Sequence, residues 1–318
     1  MRNAIRLWAV GRSELCAPCG PDQLAAAHPV WARDVAAFGP WLPDPDLAGF
    51  VRAASPASPV SLAFGASGAG TASAAAPAMS GDVVVCGPCA STFAVARQLV
   101  AEGVLGPWGA VLSVSQSGGR GQRGRSWHSP PGNVYAALVW PERPGFPPGL
   151  TPLLVGLMLA EGLASLGVEA AVKWPNDMLV DNCKVCGILV EERGGLVLAG
   201  IGLNVAAPPP ATALRDGWAV PAAGLGRAVG ERGPLAVWCA ALAAGRPVAE
   251  ALLGLGGGER IVAGIEARLA WRGRTVRIHG GDPAVAEGVL LGLAPDGGAR
   301  LAVRGREIVL YNGSVTPL

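Results

Sequence analysis

The chain has 318 residues and a formal net charge of +2, from 25 Lys and Arg against 23 Asp and Glu. This length accommodates one large domain with a small one, or two to three domains. A charge so near neutral gives a general nucleic-acid-binding role no electrostatic support. Residues 150–166, the best candidate for a membrane span, contain Glu161 and fit a buried helix better. Because residues 1–20 carry only a short apolar patch, we expect no secretory signal and predict a cytoplasmic protein.

Residues 1–80 contain few structural signals. Residues 1–52 are apolar and rich in proline, with tryptophans at positions 8, 31 and 41, and they predict no particular fold. Residues 53–80 are mostly Ala, Ser, Gly and Pro and contain no charged residue, a composition typical of a flexible linker. The patterned part of the chain therefore begins near Asp82.

Strands and helices are predicted in mixed order after Asp82. Ser91 or Thr92 is suited to cap a helix that runs to about Ala101 and stops at Gly103. A strand precedes this helix at 83–85, and an apolar helix is expected at 150–166. The other predicted strands are 110–116, 133–140, 168–174, 178–180, 185–192 and 196–203, with turns at residues 181–182 and 194–195.

The C-terminal part combines helices with short strands. Residues 234–270 are predicted to be helical, beginning at Pro234 and broken at the Gly-Arg-Pro of residues 245–247. Residues 275–318 alternate short strands with turns, which suggests a small β-barrel. The predicted fold class is α+β, with a mixed α/β domain over residues 82–270 and a β-rich domain over residues 271–318.

One stretch, residues 116–127, concentrates glycine and arginine. It contains glycines at 118, 119, 121 and 124, arginines at 120, 123 and 125, and ends at Trp127. Glycines let the backbone approach a ligand closely, and arginine forks match phosphate or carboxylate oxygens. An aromatic ring beside them can stack on a nucleobase. The stretch therefore predicts a site for an anionic ligand with a planar part, and a nucleotide is the first candidate.

Several known glycine-rich motifs compete for this stretch. Residues 119–124 match G-x-G-x-x-G, and residues 119–126 are one residue away from a P-loop. Both motifs require a helix directly after the glycines, whereas a strand is predicted on each side here. A kinase glycine-rich loop does lie between strands, but no H-R-D or D-F-G motif follows. A solvated basic hairpin tip remains the alternative.

A second polar group comprises residues 173–177, Lys-Trp-Pro-Asn-Asp, together with Lys184. Polar side chains within an apolar strand region need partners if they are buried. Asp177 could hold Mg²⁺ through its oxygens, and the lysines could contact a phosphate or polarise a carbonyl. The alternative is a Lys–Asp pair that only stabilises a hairpin turn.

Six of the seven cysteines form C-x-x-C pairs, at 16/19, 86/89 and 183/186. In a cytosolic chain this spacing indicates metal or redox chemistry. The wide separation of the pairs in sequence disfavours zinc, and positions 183 and 186 would point to opposite faces of a strand. A strand followed by Cys86-Gly-Pro-Cys89 and a helix is the thioredoxin arrangement, although the rest of that fold is not evident.

Taken together, four motifs resemble those of the biotin protein ligases. Residues 119–127, GRGQRGRSW, are similar to the GRGxRGRxW loop of that family. Residues 173–177, KWPND, 184–191, KVCGILVE, and 200–204, GIGLN, match three further motifs in the same order and spacing. The resemblance extends from about residue 82 to the end of the chain, and four ordered motifs are far more specific than one glycine pattern.

The resemblance implies an enzyme that forms biotinyl-5′-AMP from biotin and ATP, with Mg²⁺, and then transfers biotin to a lysine of a biotin carrier domain. It implies a mixed α/β catalytic domain and a C-terminal SH3-like β-barrel, acting without a membrane or nucleic acid; a homodimer is left open. The catalytic residues implied are Lys184, Arg120 and Asp177, with Asp177 also orienting Mg²⁺ or the attacking amine. The residues implied for biotin are Ser91, Thr92, Gln116, Gly119, Arg120, Gly121, Gln122, Lys184 and Gly187. Those implied for ATP and the adenylate are Arg123, Arg125, Trp127, Lys173, Asn176 and Asn204.

Two positions depart from the family pattern: Phe93 stands where Asn is usual, and Gln122 where Arg is frequent. The winged helix-turn-helix of the family's repressor-type members is not recognisable in residues 1–80, which disfavours a repressor. Two alternatives stay open. One is a lipoate or other acyl-adenylating ligase on the same fold, and the other is a biotin-sensing regulator that uses residues 1–80 to bind DNA or protein.

Overall fold

A ten-stranded mixed sheet forms the centre of the protein. The computed structural model describes residues 4–9, 14–54, 81–141, 143–210, 212, 220–255, 258–280 and 286–318. The strands of this sheet are β1 (Ile5–Trp8), β2 (Trp41–Pro43), β3 (Phe50–Ala53), β4 (Val83–Cys86), β5 (Ala110–Ser113), β6 (Val134–Trp140), β7 (Ala171–Lys173), β8 (Asp177–Val180), β9 (Cys183–Arg193) and β10 (Leu196–Leu203). They lie in the order β2-β3-β1-β4-β5-β6-β10-β9-β8-β7. β4 runs parallel to β1 and β5, and the other neighbours are antiparallel.

Two hairpin turns set the register of β8, β9 and β10. Asp181 and Asn182 join β8 to β9 with φ values of 50° and 61°, and Gly194 and Gly195 join β9 to β10 with 60° and 80°. Two consecutive residues with positive φ match the right-handed twist of the flanking strands, which is why Asn and Gly are favoured there. The turns predicted at these positions are confirmed, as are the strands on either side.

Six helices are described: α1 (Pro21–Ala27), α2 (Pro29–Phe38), α3 (Thr92–Ala101), α4 (Thr151–Ala164), α5 (Pro234–Leu255) and α6 (Gly258–Glu266). The helix α3 begins at its predicted cap, since the Ser91 hydroxyl accepts a hydrogen bond from the Phe93 amide. It packs on one face of the sheet through Phe93, Val95 and Leu99. The apolar α4 and α5 pack together on the opposite face. The middle of the sheet, where β4, β5 and β6 are buried throughout, is therefore covered on both faces, which suits these apolar strands.

The break predicted at residues 245–247 is wrong, because α5 continues through Pro247. A Cβ on Gly245 would lie 1.8 Å from the Met158 carbonyl oxygen, so the two helices touch closely at this point. On the outer side, Arg246 Nη2 lies 2.6 Å from Glu250 Oε1 and spans the proline. Tertiary packing thus offsets the lost backbone hydrogen bond. By length and composition alone Pro234–Gly254 could cross a membrane, but 56% of its most apolar window is buried inside the protein.

The N-terminal segment, to which the sequence assigned no fold, adds β1, β2 and β3 to the edge of the central sheet. A buried Arg6 fastens it: its guanidinium lies 2.7 Å from Asp44 and 2.8 Å from Asp82. Trp31 and Phe38 of α2 are fully buried in the core shared with α4 and α5. The predicted linker, 53–80, lies outside the described residues from position 55 onward.

Five strands make up a separate C-terminal sheet: β11 (Thr275–His279), β12 (Glu287–Leu293), β13 (Ala299–Val303), β14 (Arg306–Leu310) and β15 (Ser314–Pro317). Their order is β14-β13-β12-β11-β15, and all neighbours are antiparallel. The predicted short strands are confirmed. The predicted barrel is not, because β14 and β15 are not paired within the described residues and the sheet is open. The Trp174 indole donates to the Gly297 carbonyl and holds this sheet against the central one.

A buried carboxylate joins the N-terminal segment to α5. Asp34 of α2 accepts hydrogen bonds from the amides of Leu235 (2.8 Å) and Ala236 (3.1 Å), at the first turn of α5. Burial raises the pKa of Asp34 to about 7, although the backbone hydrogen bonds favour the ionised form. The folded protein therefore holds this proton more tightly than the unfolded chain, whose Asp titrates near about 3.9.

This shift predicts a pH-dependent stability. The contribution of a group with a raised folded pKa is present below about pH 4 and is lost as the pH rises through about 7. The side chain at position 34 stays neutral at every pH in the Asp34→Asn variant. The free energy of unfolding of this variant, relative to that of the wild type, should therefore rise with pH by at most about 1.4 kcal/mol per pH unit over this window. Urea unfolding from pH 5 to pH 8 measures the difference, with the exposed Asp22→Asn as control. A difference independent of pH would contradict the prediction.

Candidate functional site

The glycine- and arginine-rich loop forms a small hairpin between β5 and β6, as the strand–loop–strand pattern predicted. The Gly121 amide donates to Arg125 (2.7 Å), and the Trp127 amide donates to Gly119 (2.9 Å). The turn uses positive φ at Arg123 (59°) and Gly124 (70°). A Cβ on Gly119 would lie 2.7 Å from the Trp127 carbonyl oxygen, so only glycine permits this close pairing.

The three arginines of the hairpin are exposed. Arg125 Nε donates to the Gln122 carbonyl in the hairpin itself. Arg120, Arg123 and Arg125 form no ion pair with a carboxylate in the part of the chain that the structure describes. Their charges are therefore available to an anionic ligand.

The Trp127 indole lies on a surface that has no side chains. Gly187 of β9 and Gly202 of β10 are direct partners in the sheet. A Cβ on Gly187 would lie 2.8 Å from the ring and one on Gly202 would lie 2.5 Å from it, so the indole touches the backbone of both strands. The indole N–H is buried without a partner among the described residues. Glycine within a strand often marks such a close approach, and that signal could have identified Gly202.

The Phe93 ring lies on Gly200, the next glycine on the same face of the sheet. A Cβ on Gly200, two residues before Gly202, would lie 2.5 Å from the Phe93 ring. Arg97 stacks on this ring, with its guanidinium carbon 5.7 Å from the centroid. The departure from the family pattern at position 93 therefore places an aromatic wall beside Trp127, where the usual Asn would offer an amide.

A cluster of two lysines and one carboxylate lies beside Trp127. Asp177 Oδ2 is 3.2 Å from Lys173 Nζ, and Oδ1 is 2.5 Å from Lys184 Nζ. Lys184 Nζ also lies 5.2 Å from the Trp127 ring centroid. Residues 173 and 184 are the two lysines in this sequence, in which all other basic side chains are Arg or His. Lys173 Nζ also lies 2.8 Å from the Ser314 hydroxyl of the C-terminal sheet. The sequence did not reveal this partner.

Burial and charge act in opposite directions in this cluster. Burial disfavours the charged Asp177, but the ammonium groups of Lys184 and Lys173 outweigh it and hold the pKa of Asp177 below its ordinary value. Burial lowers the pKa of Lys173, while Asp177 opposes this shift. Arg125 adds a further positive charge close enough to lower the pKa of Lys173. One carboxylate therefore faces three cations, and the site carries an excess of positive charge.

A β-bulge in β9 decides where Lys184 points. Asp177 is paired with Gly187, whereas Leu179 is paired with Lys184, so Val185 is an extra residue in β9. An extra residue shifts the alternation of faces, and Lys184 therefore lies on the same face as Gly187. The same shift overturns the argument that Cys183 and Cys186 point to opposite faces, because the register places them opposite Val180 and Met178.

The other predicted site residues form a supporting layer. The Thr92 amide (2.9 Å) and hydroxyl (3.1 Å) both donate to Gln116 Oε1, which joins the start of α3 to the start of the hairpin. Asn176 donates to the Ile188 carbonyl, and Asn204 donates to the Ala223 carbonyl. These two amides fix backbone around the site. Asn133, which the sequence did not single out, accepts from the amides of Val205, Ala206 and Ala207 and holds the loop after β10.

The donor set does not fit a protein-bound Mg²⁺ at Asp177. Both carboxylate oxygens are engaged by ammonium groups, which compete with a cation for the same lone pairs. Within the described residues there is no group of three or more His, Cys, Asp or Glu that could hold a metal ion.

A cavity of about 660 Å³ lies elsewhere in the fold, between the loop before α4 and the C-terminal sheet. Phe146, Ile261 and Tyr311 are among the residues that line it, and none of the predicted site residues does. The glycine surface under Trp127 is therefore distinct from it.

The match to a family model agrees with this geometry. Residues 107–206, which contain the hairpin, the lysine cluster and the glycine surface, match the model of the biotin/lipoate A/B protein ligase family. The match covers 100 of the 318 residues. It agrees with the resemblance to biotin protein ligases that the four motifs indicated.

Curated relatives match about a third of the chain. The Bifunctional ligase/repressor BirA of Escherichia coli is 40% identical over 106 residues, which are 30% of this chain and 33% of that protein. The Biotin--[acetyl-CoA-carboxylase] ligase of Paracoccus denitrificans is 39% identical over 116 residues, 34% of this chain and 48% of that protein. The corresponding ligase of Mycobacterium tuberculosis is 34% identical, over 33% of this chain and 44% of that protein. The chain thus matches from a third to about half of the length of these relatives.

Solved structures extend the likeness to the fold. The biotin protein ligase of Aquifex aeolicus in complex with biotin and ATP has a TM-score of 0.60 at 22% identity, covering 74% of this chain and 97% of that one. The apo structure of the same ligase has a TM-score of 0.57 at 18% identity, covering 75% and 100%. The mixed α/β fold is therefore that of the biotin protein ligases.

The lysine cluster yields a prediction about stability. Asp177→Asn leaves the buried Lys173 ammonium without a full counter-charge, so the free energy of unfolding should fall by about 3–5 kcal/mol. The control is Glu250→Gln, which removes the carboxylate from another i,i+4 pair whose acid is 43% exposed. It should cost less than about 1 kcal/mol. Urea unfolding at pH 7 measures both, and equal losses would contradict the prediction.

Proposed function

We propose that this protein is an ATP-dependent biotin protein ligase. It would join biotin to the α-phosphate of ATP, giving biotinyl-5′-AMP and pyrophosphate, and then transfer biotin to a lysine of a biotin carrier domain. The observation that carries the proposal is the combination at one place of excess cations, a backbone surface free of side chains and a stacking indole. An adenylate needs all three, because it has phosphate charge, a flat base and an acyl chain that must lie against the protein.

Lys184 is assigned to the developing charge. Its ammonium lies at the edge of the glycine surface, is about one quarter exposed and is held there by Asp177. In the adenylation step the biotin carboxylate attacks the α-phosphorus and pyrophosphate leaves, so negative charge builds on the phosphate oxygens. A preorganised ammonium stabilises that charge without reorganisation of solvent. Arg120, Arg123 and Arg125 extend the positive surface toward the leaving pyrophosphate.

The remaining residues are assigned by their place around Lys184. Thr92 and Gln116 join the start of α3, which Ser91 caps, to the base of the hairpin. We assign these three residues to biotin, together with Gly119, Gly121 and Gln122 of the hairpin. Trp127 would stack on the planar part of a ligand. Lys173 is buried beneath the site with Asp177 and Ser314, so we assign it to positioning Asp177 and Lys184. Mg²⁺ would enter with the ATP phosphates and neutralise part of their charge.

The partner and setting follow from the same proposal. The acceptor would be the biotin carrier domain of a carboxylase, and no membrane or nucleic acid would take part. A cytoplasmic location fits this role, and homodimer formation is a separate proposal that gel filtration tests. We also propose that the C-terminal sheet is of the SH3-like type; five short antiparallel strands in which the first, β11, lies beside the last, β15, support this.

Lipoate ligation is the second candidate, because the matched family model includes both ligase types. ATP–pyrophosphate exchange with biotin and with lipoate, side by side, separates the two. We expect exchange with biotin only, and Lys184→Ala should lower it roughly 10²–10³-fold, as removal of one charge-stabilising donor does elsewhere. The matched control, Arg193→Ala, removes an exposed cation from the end of the same strand. Exchange with lipoate alone would transfer the function to the second candidate.

The position of the Trp127 indole on Gly187 and Gly202 gives an independent prediction. A ligand that uses the Gly187–Gly202 surface must move the indole from it, which changes the surroundings of a buried N–H. Biotin with ATP should therefore change the tryptophan fluorescence of the wild type, and the change should be absent in Trp127→Phe. Trp41→Phe, which replaces a half-buried indole of the N-terminal segment, is the control and should retain it. A change that persists in Trp127→Phe would contradict this assignment.

A further inference from the structure

Two C-x-x-C motifs that are far apart in sequence meet in the fold. Parallel pairing of β1 with β4 brings the segment after β1 against the loop after β4. The Ala17 amide donates to the Pro88 carbonyl (2.9 Å), and the Gly87 amide donates to the Ala17 carbonyl (3.1 Å). A Cβ on Gly87 would lie 2.8 Å from the Ala17 oxygen. The two segments therefore touch through their backbones.

Cys16 and Cys89 are direct partners across this contact, joined as an antiparallel bridge. The bond from the Ala17 amide to the Pro88 carbonyl flanks the pair, as in a non-hydrogen-bonded pair, whose Cα atoms are about 4.5 Å apart. A disulfide spans Cα separations of about 4.4–6.8 Å. Both cysteines are free thiols in the structure. The backbone thus already holds Cys16 and Cys89 at bonding separation.

Cys86 completes a cluster of three thiols. It is fully buried and belongs to the same core cluster as Cys89, against which Cys16 packs. Interaction with the Cys86 thiol lowers the pKa of Cys16 and the pKa of Cys89, while the same interactions raise the pKa of Cys86. Within the described residues no group of three or more His, Cys, Asp or Glu could hold a metal ion.

Access distinguishes the members of the cluster. Cys16 is half-buried, whereas Cys89 is 6% exposed and Cys86 is 0% exposed. Cys19 belongs to the core on the opposite side of the sheet, and burial raises its pKa to about 12, so it remains a protonated thiol. A small oxidant from solvent therefore reaches Cys16 first.

We propose that Cys16 and Cys89 form an intramolecular disulfide when hydrogen peroxide oxidises Cys16. The Cys16 thiolate attacks one peroxide oxygen, the S–O bond forms and the O–O bond breaks, and the departing hydroxide takes a proton to give water. The Cys89 sulfur then attacks the sulfenic acid, the S–S bond forms, the S–O bond breaks, and a second water leaves with the thiol proton. Two thiols lose two electrons and two protons, and hydrogen peroxide is reduced to two waters.

The disulfide would act on the candidate site through the backbone of Cys89; this step rests on the proposed function. The Cys89 amide donates to Ser115 (3.2 Å), and the Ser117 amide donates to Cys89 (3.0 Å), so Cys89 anchors the start of the hairpin. Ser91, two residues on, begins α3. Bonding draws the sulfur atoms from contact to about 2.05 Å. The backbone separation already permits this bond, so Cys89 shifts only slightly, but the start of the hairpin is then restrained by the N-terminal segment.

Peptide mapping by mass spectrometry tests the disulfide without reference to activity. The full chain is treated with hydrogen peroxide, alkylated and digested, and we expect a Cys16–Cys89 linked peptide that dithiothreitol removes. Cys16→Ser should abolish it, while Cys183→Ser, which changes another half-buried cysteine, should leave it in place. A Cys86–Cys89 or Cys16–Cys86 link would overturn the assigned pair, and no link at all would overturn the site.

A second measurement tests the functional step. A displacement of about 1 Å at a site can cost about 100-fold in rate, so we expect biotin-dependent pyrophosphate exchange to fall at least about tenfold in the oxidised protein. Dithiothreitol should restore it, and Cys16→Ser should be insensitive to peroxide. Unchanged exchange in a protein whose Cys16–Cys89 link is mapped would overturn this step alone. Failure of exchange in the reduced protein would instead count against the ligase proposal.

Discussion

A single carboxylate, Asp177, holds the candidate site together. Its two oxygens each meet a lysine, and through Lys173 it reaches Ser314 of the C-terminal sheet, while through Lys184 it reaches the indole of Trp127. Burying two ammonium groups is costly unless a carboxylate compensates them. One carboxylate does not neutralise two ammonium groups, so net positive charge remains. The excess charge that makes the cluster costly to bury also favours the binding of an anion. Stability and ligand preference therefore share one cause.

The second constraint is a patch of the sheet whose residues are glycines and therefore lack Cβ atoms. Gly187 and Gly202 are paired in the sheet, and Gly200 continues the same face. Without Cβ atoms this part of the sheet can be covered only by groups from other elements, and two aromatic rings do so. Phe93 comes from α3, whose position is fixed by packing, whereas Trp127 comes from a hairpin with exposed arginines. The Phe93 ring is therefore fixed in place. The Trp127 ring can move and, under the proposed function, give way to a ligand.

Local signals in the sequence were enough for much of this architecture. Asp181 and Asn182 adopt the positive φ that their types favour, Ser91 caps α3, and the glycine spacing marks the hairpin, so these features follow from near neighbours in the chain. Features that depend on distant partners were missed or mistaken. Pro247 stays helical because α4 packs against α5, and the bulge at Val185 follows from the register with β8. The N-terminal strands belong to the sheet through long-range pairing, which no local pattern reveals.

The scarcity of lysine has a chemical consequence. An activated acyl phosphate reacts with any accessible amine, and arginine, with its guanidinium always protonated, does not compete as a nucleophile. In these 318 residues the two lysines are both tied to Asp177, one of them fully inside the protein. The outer surface carries its positive charge on arginine. Under the proposed function, few of the protein's own amines would compete with the amine of the carrier domain for the acyl group.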